Sequence, residues 1–333
     1  MTFSYTCTAK VLLRSKLIIQ MKKLLLSSCL LLFVSAVFAQ YKLDYGGSIG
    51  AANYLGEIGG KEKTRRNFIL DLKLSQTKSA IGGFVRYKIN RDISVRGSAG
   101  WYRISGADKF STNPGRVGRN LSFRNDIIEA SITGQYVFYE IADLGRTYRY
   151  QNDFKAYVFT GFAGAYQNPK ALYNGSWVSL APLHTEGQGI IEGAPKPYGK
   201  FIFVLPAGAG FYFTIKKKYR IGWEFNWRTT FTDYLDDVSG IYADSTLLGS
   251  PTAIALANRN PELQPYADGS DLPPSANYDG GNKRGDPKHK DSYLTTSINF
   301  SYVLRGTSKF ARAKYQTSFG RQYKKGRTIR AKF

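Results

Sequence analysis

Residues 220–232 admit one backbone. Ile221, Trp223, Phe225, Trp227 and Phe231 occupy one side of a two-residue period. Arg220, Gly222, Glu224, Asn226, Arg228, Thr230 and Thr232 occupy the other. A helix scatters such a set around its circumference, whereas a strand sorts it onto two faces. Residues 126–138 repeat the pattern, with Ile128, Ala130, Ile132, Tyr136 and Phe138 opposite Glu129, Ser131, Thr133 and Gln135. In 292–304, Leu294, Ile298, Phe300, Tyr302 and Leu304 stand opposite Thr295, Ser297, Asn299 and Ser301. Eight such segments are expected, at 41–53, 80–89, 93–104, 121–141, 153–166, 199–215, 220–231 and 292–304.

The connections alternate in length. Residues 54–79, 105–120, 167–198 and 232–291 are long; 90–92, 142–152 and 216–219 are short. An even strand count with long connections at one end and short turns at the other is the pattern of an outer-membrane barrel. Lipid leaves no backbone group satisfied by water, so a sheet crossing it must close on itself. The expected fold is therefore all-β: an eight-stranded antiparallel transmembrane β-barrel spanning 40–304. Long external loops, short periplasmic turns and a basic periplasmic C-terminal tail, 305–333, complete it. Aromatic residues, 15% of the chain, gather near strand ends where interfacial girdles form: Trp101 and Tyr102, Tyr136 and Tyr139, Phe211 to Phe213, Trp223 and Trp227. A soluble barrel would invert the faces, with an apolar lumen and a charged exterior. Eight strands leave an interior that side chains fill, so no open pore is expected. Parity then puts both barrel ends and the tail in the periplasm, and loop 232–291 outside.

The N-terminal segment agrees with export. Met21-Lys22-Lys23 is a short basic region, Leu24 to Phe38 is apolar, and Val37-Phe38-Ala39 fits a cleavage site before Gln40. Residues 1–39 are thus expected to be an upstream extension plus a cleaved signal peptide, with Met21 the better start than Met1. Leu26-Ser27-Ser28-Cys29 fits a lipoprotein box less well, because the apolar run continues beyond it. Cys7 and Cys29 both precede the cut, so disulfide and thiolate chemistry are not expected. The mature chain keeps a net charge of about +18. Over half of it lies in the tail, in Arg305, Lys309, Arg312, Lys314, Arg321, Lys324, Lys325, Arg327, Arg330 and Lys332, with no acid among them. Export directs this charge away from nucleic acid and toward periplasmic partners, anionic headgroups of outer-membrane lipid, or cell-wall polymer. Lys216, Lys217, Lys218 and Arg220 form a second expected basic cluster on the same side.

Candidate chemistry is sparse. "TFTDYLDDVSG" (230–240) holds Asp233, Asp236 and Asp237 in five residues. With Asp244 these carboxylates could ligate calcium, but the spacing is not that of an EF-hand loop. Adjacent acids on one loop do not supply the cleft geometry of hydrolysis. The expectation is that they cap turns or pair with rim arginines, in a solvated loop of ten acids and five Lys or Arg. His184 and His289 lie in no ligand pattern, and Ser179 near His184 is the one weak nucleophilic hint. No enzyme activity and no cofactor are expected. Asn174-Gly175 is a two-residue turn signal that predicts a hairpin inside loop 167–198. Trp177 at its tip would anchor a partner or pack on neighbouring loops.

Five stretches carry a resemblance: "GGSIGAANYLGEIGG" (46–60), "RNLSFRNDIIEASITGQYVFYE" (119–140), "NPKALYNGSWVSLAPLHTEGQG" (168–189), "TFTDYLDDVSG" (230–240) and "RGDPKHKDSYLTTSINFSYVL" (284–304). Together they resemble PorG-like outer-membrane barrels of the Bacteroidetes type IX secretion system. The resemblance implies a non-enzymatic barrel that associates with a periplasmic ring formed by a lipoprotein and a soluble partner. That machine exports cargo and, in gliding bacteria, moves surface adhesins. The resemblance supplies no catalytic residues, and the tail is longer than it implies. The other reading is an OmpA-like structural or adhesive surface barrel acting through its external loops.

Overall fold

The structure, a computed structural model, describes residues 42–59, 74–144, 152–263 and 278–304. The expected signal segment and the basic tail lie outside the described residues. Two units are distinguished. The small one is described only at Lys42–Asp44 and Val303–Leu304, where the Leu304 amide donates to the Leu43 carbonyl at 2.9 Å. The large one, Tyr45–Tyr302, is the barrel.

Eight strands form it: β1 (Leu43–Leu55), β2 (Lys78–Lys88), β3 (Ile93–Ala107), β4 (Ser122–Ile141), β5 (Asp153–Tyr166), β8 (Phe201–Ile215), β9 (Tyr219–Thr230) and β10 (Ser292–Val303). Strands β6 (Pro169–Tyr173) and β7 (Ser176–Ser179) form a hairpin that extends one edge of β4. Pairs β2–β3, β3–β4, β4–β5, β5–β8, β8–β9 and β9–β10 are antiparallel. β1 lies between β2 and β10, and the β3–β4 pairing closes the ring. The strand alternation is realised as expected. Glu224, Asn226 and Arg228 are buried in the lumen, while Ile221, Trp223, Ile128, Ile132, Phe203 and Phe300 are exposed outward. An apolar exterior around a charged interior is the transmembrane arrangement.

The girdle expectation needs one correction. Tyr102 and Tyr212 face the lumen and are buried, because period two gives the outward places to their neighbours Trp101, Phe211 and Phe213.

The lumen is filled by ion pairs. The Arg96 guanidinium donates to Glu224, which also accepts from the Tyr157 hydroxyl at 2.8 Å. Arg228 Nε lies 2.9 and 3.1 Å from the two Glu129 oxygens, and its Nη2 donates to the Tyr102 hydroxyl at 2.8 Å. The Tyr293 hydroxyl donates to Glu129 at 2.6 Å. What remains between Arg96, Glu224 and Arg228 is a cavity of about 30 Å³. A water occupies roughly 10–15 Å³ on that measure, so this cavity holds about two.

The Asn174-Gly175 turn is present. Asn174 (φ 47°) and Gly175 (φ 77°) both lie in the left-handed region, as a tight two-residue hairpin turn requires. Gly175→Val strains that conformation by about 1–2 kcal/mol. Amide exchange across β6 and β7 is expected to accelerate roughly 5- to 30-fold while the barrel amides are unchanged. Equal protection in the variant would show that the turn does not set the hairpin's stability.

Candidate functional site

All four long connections meet above one end of the barrel, and they meet through buried charge. The first supplies Glu57 from just beyond β1. The second is folded by the short helix Pro114–Arg119, capped by Asn113, whose side chain accepts from the Arg116 amide. Asn120 ends that helix in the left-handed conformation at φ 55°. This turn directs Arg119 inward onto Asp108, with Nε at 2.7 Å from Oδ2 and Nη2 at 3.0 Å from Oδ1. Two backbone amides, Gly59 and Leu121, complete the buried Asp108 carboxylate at 2.9 and 3.1 Å.

The third and fourth connections join at Arg284, which is 3% exposed. Its Nη1 lies 3.0 Å from Glu186 and 2.6 Å from the Asp237 carbonyl, and Nε donates to the Ala257 carbonyl at 3.2 Å. Its own carbonyl accepts from Arg119 Nη1 at 2.6 Å, so the two arginines brace each other's loops. Glu186 also accepts from the amides of Ser239 and Gly240. Asn125 ties β4 to this layer, donating to Gln167 Oε1 at 2.9 Å and to the Leu235 carbonyl at 2.8 Å.

The stretch 230–240 is therefore a buried part of a cap and not solvated loop. Asp233, Asp236 and Asp237 are each 1% exposed. Asp237 (φ 70°) accepts from the hydroxyls of Thr185 and Tyr198, both at 2.5 Å, and its Oδ2 lies 3.7 Å from Arg284. Asp236 accepts from the Val238 amide at 3.0 Å, the expected turn-capping role. It also accepts from the Tyr54 hydroxyl at 2.6 Å, and Asp291 approaches the same hydroxyl at 2.8 Å. The Glu57 amide donates to that oxygen as well, at 3.1 Å. A phenol has one proton to give. Two carboxylates bound to one phenol oxygen therefore require that one of them carries a proton and donates it.

Electrostatics point the same way. Burial, opposed by hydrogen bonds from Tyr54 and Val238, pushes Asp236 up to about 7. Burial, with the Asp236 charge adding to it, pushes Glu57 up to about 8. Burial raises Asp237 to about 6 against the pull of Arg284. Burial and the charges of Asp236 and Asp233 hold Asp291 well above the usual carboxylate range. Packing leaves little room: a Cβ on Gly285 would stand 2.5 Å from Glu57 Oε2 and 2.7 Å from the Ser239 carbonyl oxygen.

The calcium and catalytic readings do not assemble. Among the described residues no group of three or more His, Cys, Asp or Glu is arranged to hold a metal ion. Asp244 stands apart from the cap acids, capping the Thr246 amide at 2.9 Å. Ser179 Oγ is hydrogen-bonded to Asn168, not to His184, and His289 pairs with Asp286 at 2.9 Å on the surface. Trp177 is half exposed, with the Arg124 guanidinium 4.0 Å from its ring centre.

At the opposite end of the barrel, Lys216, Lys217 and Lys218 form the β8–β9 turn. Lys216 (φ 49°) and Lys217 (φ 56°) both lie in the left-handed region, and the Lys218 amide donates to the Ile215 carbonyl at 3.0 Å. Arg220 does not join them. Strand alternation turns it toward the lumen mouth, 4.9 Å from the Tyr212 ring centre. The tail residues Arg305 to Arg327 lie outside the described residues.

Sequence reasoning missed Tyr54, Glu57, Asp108, Arg119, Glu186, Tyr198, Arg284 and Asp291. Their signal was a surplus of acids at the loop bases, which reads as solvation until closure of the barrel brings those bases together.

A closed antiparallel ring with an apolar outer band, a charged and filled lumen and a loop cap at one end defines the class: a transmembrane β-barrel of the outer-membrane type. A family described as a domain of unknown function, DUF6089, matches residues 22–246, and the chain belongs to that family. No curated protein matches the chain. Among solved structures it is similar to the N-terminal barrel domain of OprF from Pseudomonas aeruginosa. That match has 9% identity and a TM-score of 0.31, covering 80% of this chain and 98% of that one. It is also similar to Ail, the attachment invasion locus protein of Yersinia pestis, solved with a heparin analogue. The identity there is 12% and the TM-score 0.30, over 79% and 99% of the two chains. OprG from Pseudomonas aeruginosa gives 9% and 0.34, over 80% and 99%.

Proposed function

We propose that this barrel is a non-enzymatic outer-membrane component of the type IX protein secretion machinery that anchors or contacts its periplasmic ring. The observation that carries the proposal is the cap. The five stretches that resemble PorG-like proteins supply Tyr54 and Glu57, Arg119 and Asn125, Thr185 and Glu186, Asp233 to Gly240, and Arg284 and Asp291. These residues form one buried hydrogen-bonded unit. The shared segments thus belong to one structural element rather than to scattered loops. A filled lumen beneath a closed cap supports an anchor over a conduit. Partner contacts then belong to the surfaces, and the end with short turns is the one that would face the periplasm.

The lysine turn and the tail are the contacts we assign to the ring lipoprotein and its soluble partner. Charge there steers an acidic partner. A turn with two left-handed residues is better served by Asn-Gly than by Lys-Lys, so the lysines stand there against local preference. Replacing Lys216-Lys217 by Asn-Gly preserves the turn and removes two charges. Combined with a stop after Leu304, it is expected to lower co-purification of ring components from membranes at least tenfold, with barrel insertion unchanged. Undiminished recovery would sink the assigned contacts. Absence of ring components even with the intact chain, together with altered surface attachment in a deletion strain, would favour the adhesive reading.

A further inference from the structure

The strands β3 and β4 carry two features on their outer face that the secretion reading does not use. Near the capped end, a cavity of about 560 Å³ opens between the second connection and the β6–β7 hairpin. Its wall holds five cations, Lys78, Arg103, Lys109, Arg124 and Arg259, and no carboxylate. Two of the cations lie over indoles, Arg124 over Trp177, which lines the cavity, and Arg103 over Trp101 further down β3. Arg124 lies 4.0 Å from the Trp177 ring centre and Arg103 lies 5.0 Å from that of Trp101. Asp126 neutralises part of this charge, at 2.6 Å from Arg103 and 3.5 Å from Arg124, and Glu262 pairs with Arg259 at 2.9 Å. Five cations against two carboxylates leave a net positive wall. Arg124 Nε has only the 3.5 Å ion pair with Asp126 and no closer hydrogen bond, and Lys78 is exposed.

Below it, the outer surface from β2 across β3 and β4 to β5 sinks into an apolar groove of about 960 Å³. The floor is a continuous cross-strand row, Gly83 to Ala99 to Ala130 to Gly164. Bulky Tyr45, Val85, Ile132, Phe162 and Phe203 stand around it. From Arg103 to Ala99 is four residues along one strand, about 13 Å at 3.3 Å per residue. Trp101 lies between them on the same face, where an interfacial aromatic belongs.

We infer that β3 and β4 bind a lipid whose headgroup carries phosphate, with the headgroup on the cations and an acyl chain in the Gly/Ala groove. Charge complementarity decides the occupant. Guanidinium and ammonium groups recognise phosphate oxygens, and an occupant that meets both surfaces must be anionic at one end and apolar for more than about 10 Å at the other. A neutral transmembrane helix would fill the groove and leave the cations unmatched. The inference needs only that the barrel is embedded in lipid, so it stands or falls separately from the ring contacts.

The test uses the full chain in zwitterionic phospholipid nanodiscs, titrated with diphosphorylated lipid A. Retained lipid is read by native mass spectrometry, and quenching of Trp101 and Trp177 by brominated acyl chains serves as a second readout. The wild type is expected to retain the phosphorylated lipid at least tenfold over its dephosphorylated form. Lys78→Ser with Lys109→Ser and Arg124→Ser is expected to remove that preference. Gly97→Leu with Gly164→Leu fills the groove at positions where an added Cβ meets nothing within 4 Å, and folding of the variant is checked by its migration on unboiled SDS gels. It is expected to abolish lipid retention while leaving direct binding of inorganic phosphate at the cations intact. Gly134→Leu, outward on β4 but outside the groove, is the control. Equal retention of phosphorylated and dephosphorylated lipid, retention unchanged by the serine variant, or full competition by inorganic phosphate with no acyl dependence would each overturn the inference.

Discussion

Arg284→Met is expected to open the cap while leaving the barrel folded. The guanidinium is the one cation paired with both Glu186 and Asp237 among the described residues, and it also holds the Asp237 and Ala257 carbonyls. Methionine keeps much of the volume and none of the donors. Two buried carboxylates then lose their partner, and breaking a buried pair in this way costs about 3–5 kcal/mol. The loss falls on the loops, because none of the Arg284 contacts reaches the lumen network of Arg228, Glu129, Arg96 and Glu224. Protease cleavage within 233–263 is expected to accelerate at least 100-fold, since about 3 kcal/mol corresponds to more than two decades. Unboiled protein should still migrate on SDS gels as a folded barrel. Arg284→Lys should recover little, because an ammonium group cannot span the same forked set of acceptors. If Arg284→Met left cleavage unchanged, the cap would be held by something other than this charge layer. If it unfolded the barrel, cap and lumen would be one cooperative unit.

The barrel is legible in the sequence because lipid enforces a period-two rule on every strand. Residues 126–138 and 220–231 can be assigned a face each with no partner known, and the structure places those faces as expected. The tight turn at Asn174-Gly175 is legible for a local reason, since two left-handed residues are needed there. The cap is not legible. Tyr54 and Asp291 are separated by 237 residues, and Tyr54 and Asp236 by 182. Nothing local in "TFTDYLDDVSG" says that its acids are buried, and three carboxylates in five residues have a hydrophilic composition. Their burial follows from closure: once β1 and β10 are neighbours, the loop bases stand in one ring and their side chains meet one another there. Arg220 shows the converse error. Adjacency in sequence groups it with Lys216 to Lys218, but the turn ends at Lys218 and strand alternation governs Arg220.

The same ring of loop bases makes the cap's stability depend on pH, with a sign opposite to that of most carboxylate-rich surfaces. Ordinary ion-paired acids have depressed pKa values and lose stability on acidification. Here Asp236, Asp237, Glu57 and Asp291 are raised. The groups facing them are Tyr54 from β1, Asp233 within the same loop, Arg119 from the second connection, and Thr185, Glu186, Tyr198 and Arg284 around Asp237. Between the unfolded values near 4 and the folded values of about 6 to 8, the closed cap holds more protons than the open one. Stability therefore falls as pH rises through that window. Each unit by which a buried carboxyl such as Asp236 is raised costs the closed cap about 1.4 kcal/mol as the pH passes through the window. The acids share protons through the Tyr54 hydroxyl, so their effects do not add, and the whole cap is expected to weaken by about 3–4 kcal/mol between pH 4.5 and 8.5. Cleavage of the loop layer, corrected for the protease's own pH profile, should rise by roughly 100-fold or more over that interval. Asp236→Asn keeps an acceptor for the Val238 amide and puts a donor on the Tyr54 hydroxyl oxygen, whose proton is then free for Asp291, and it carries no charge at any pH. That variant should be more protected than wild type at pH 8.5 and show a flattened profile. Protection that increased with pH, or a slope for Asp236→Asn equal to the wild-type slope, would mean that the two carboxylates at Tyr54 are both ionised in the closed cap. The hydroxyl would then stand between two anions with one proton, and the shared-proton account of the 2.6 and 2.8 Å contacts would fall.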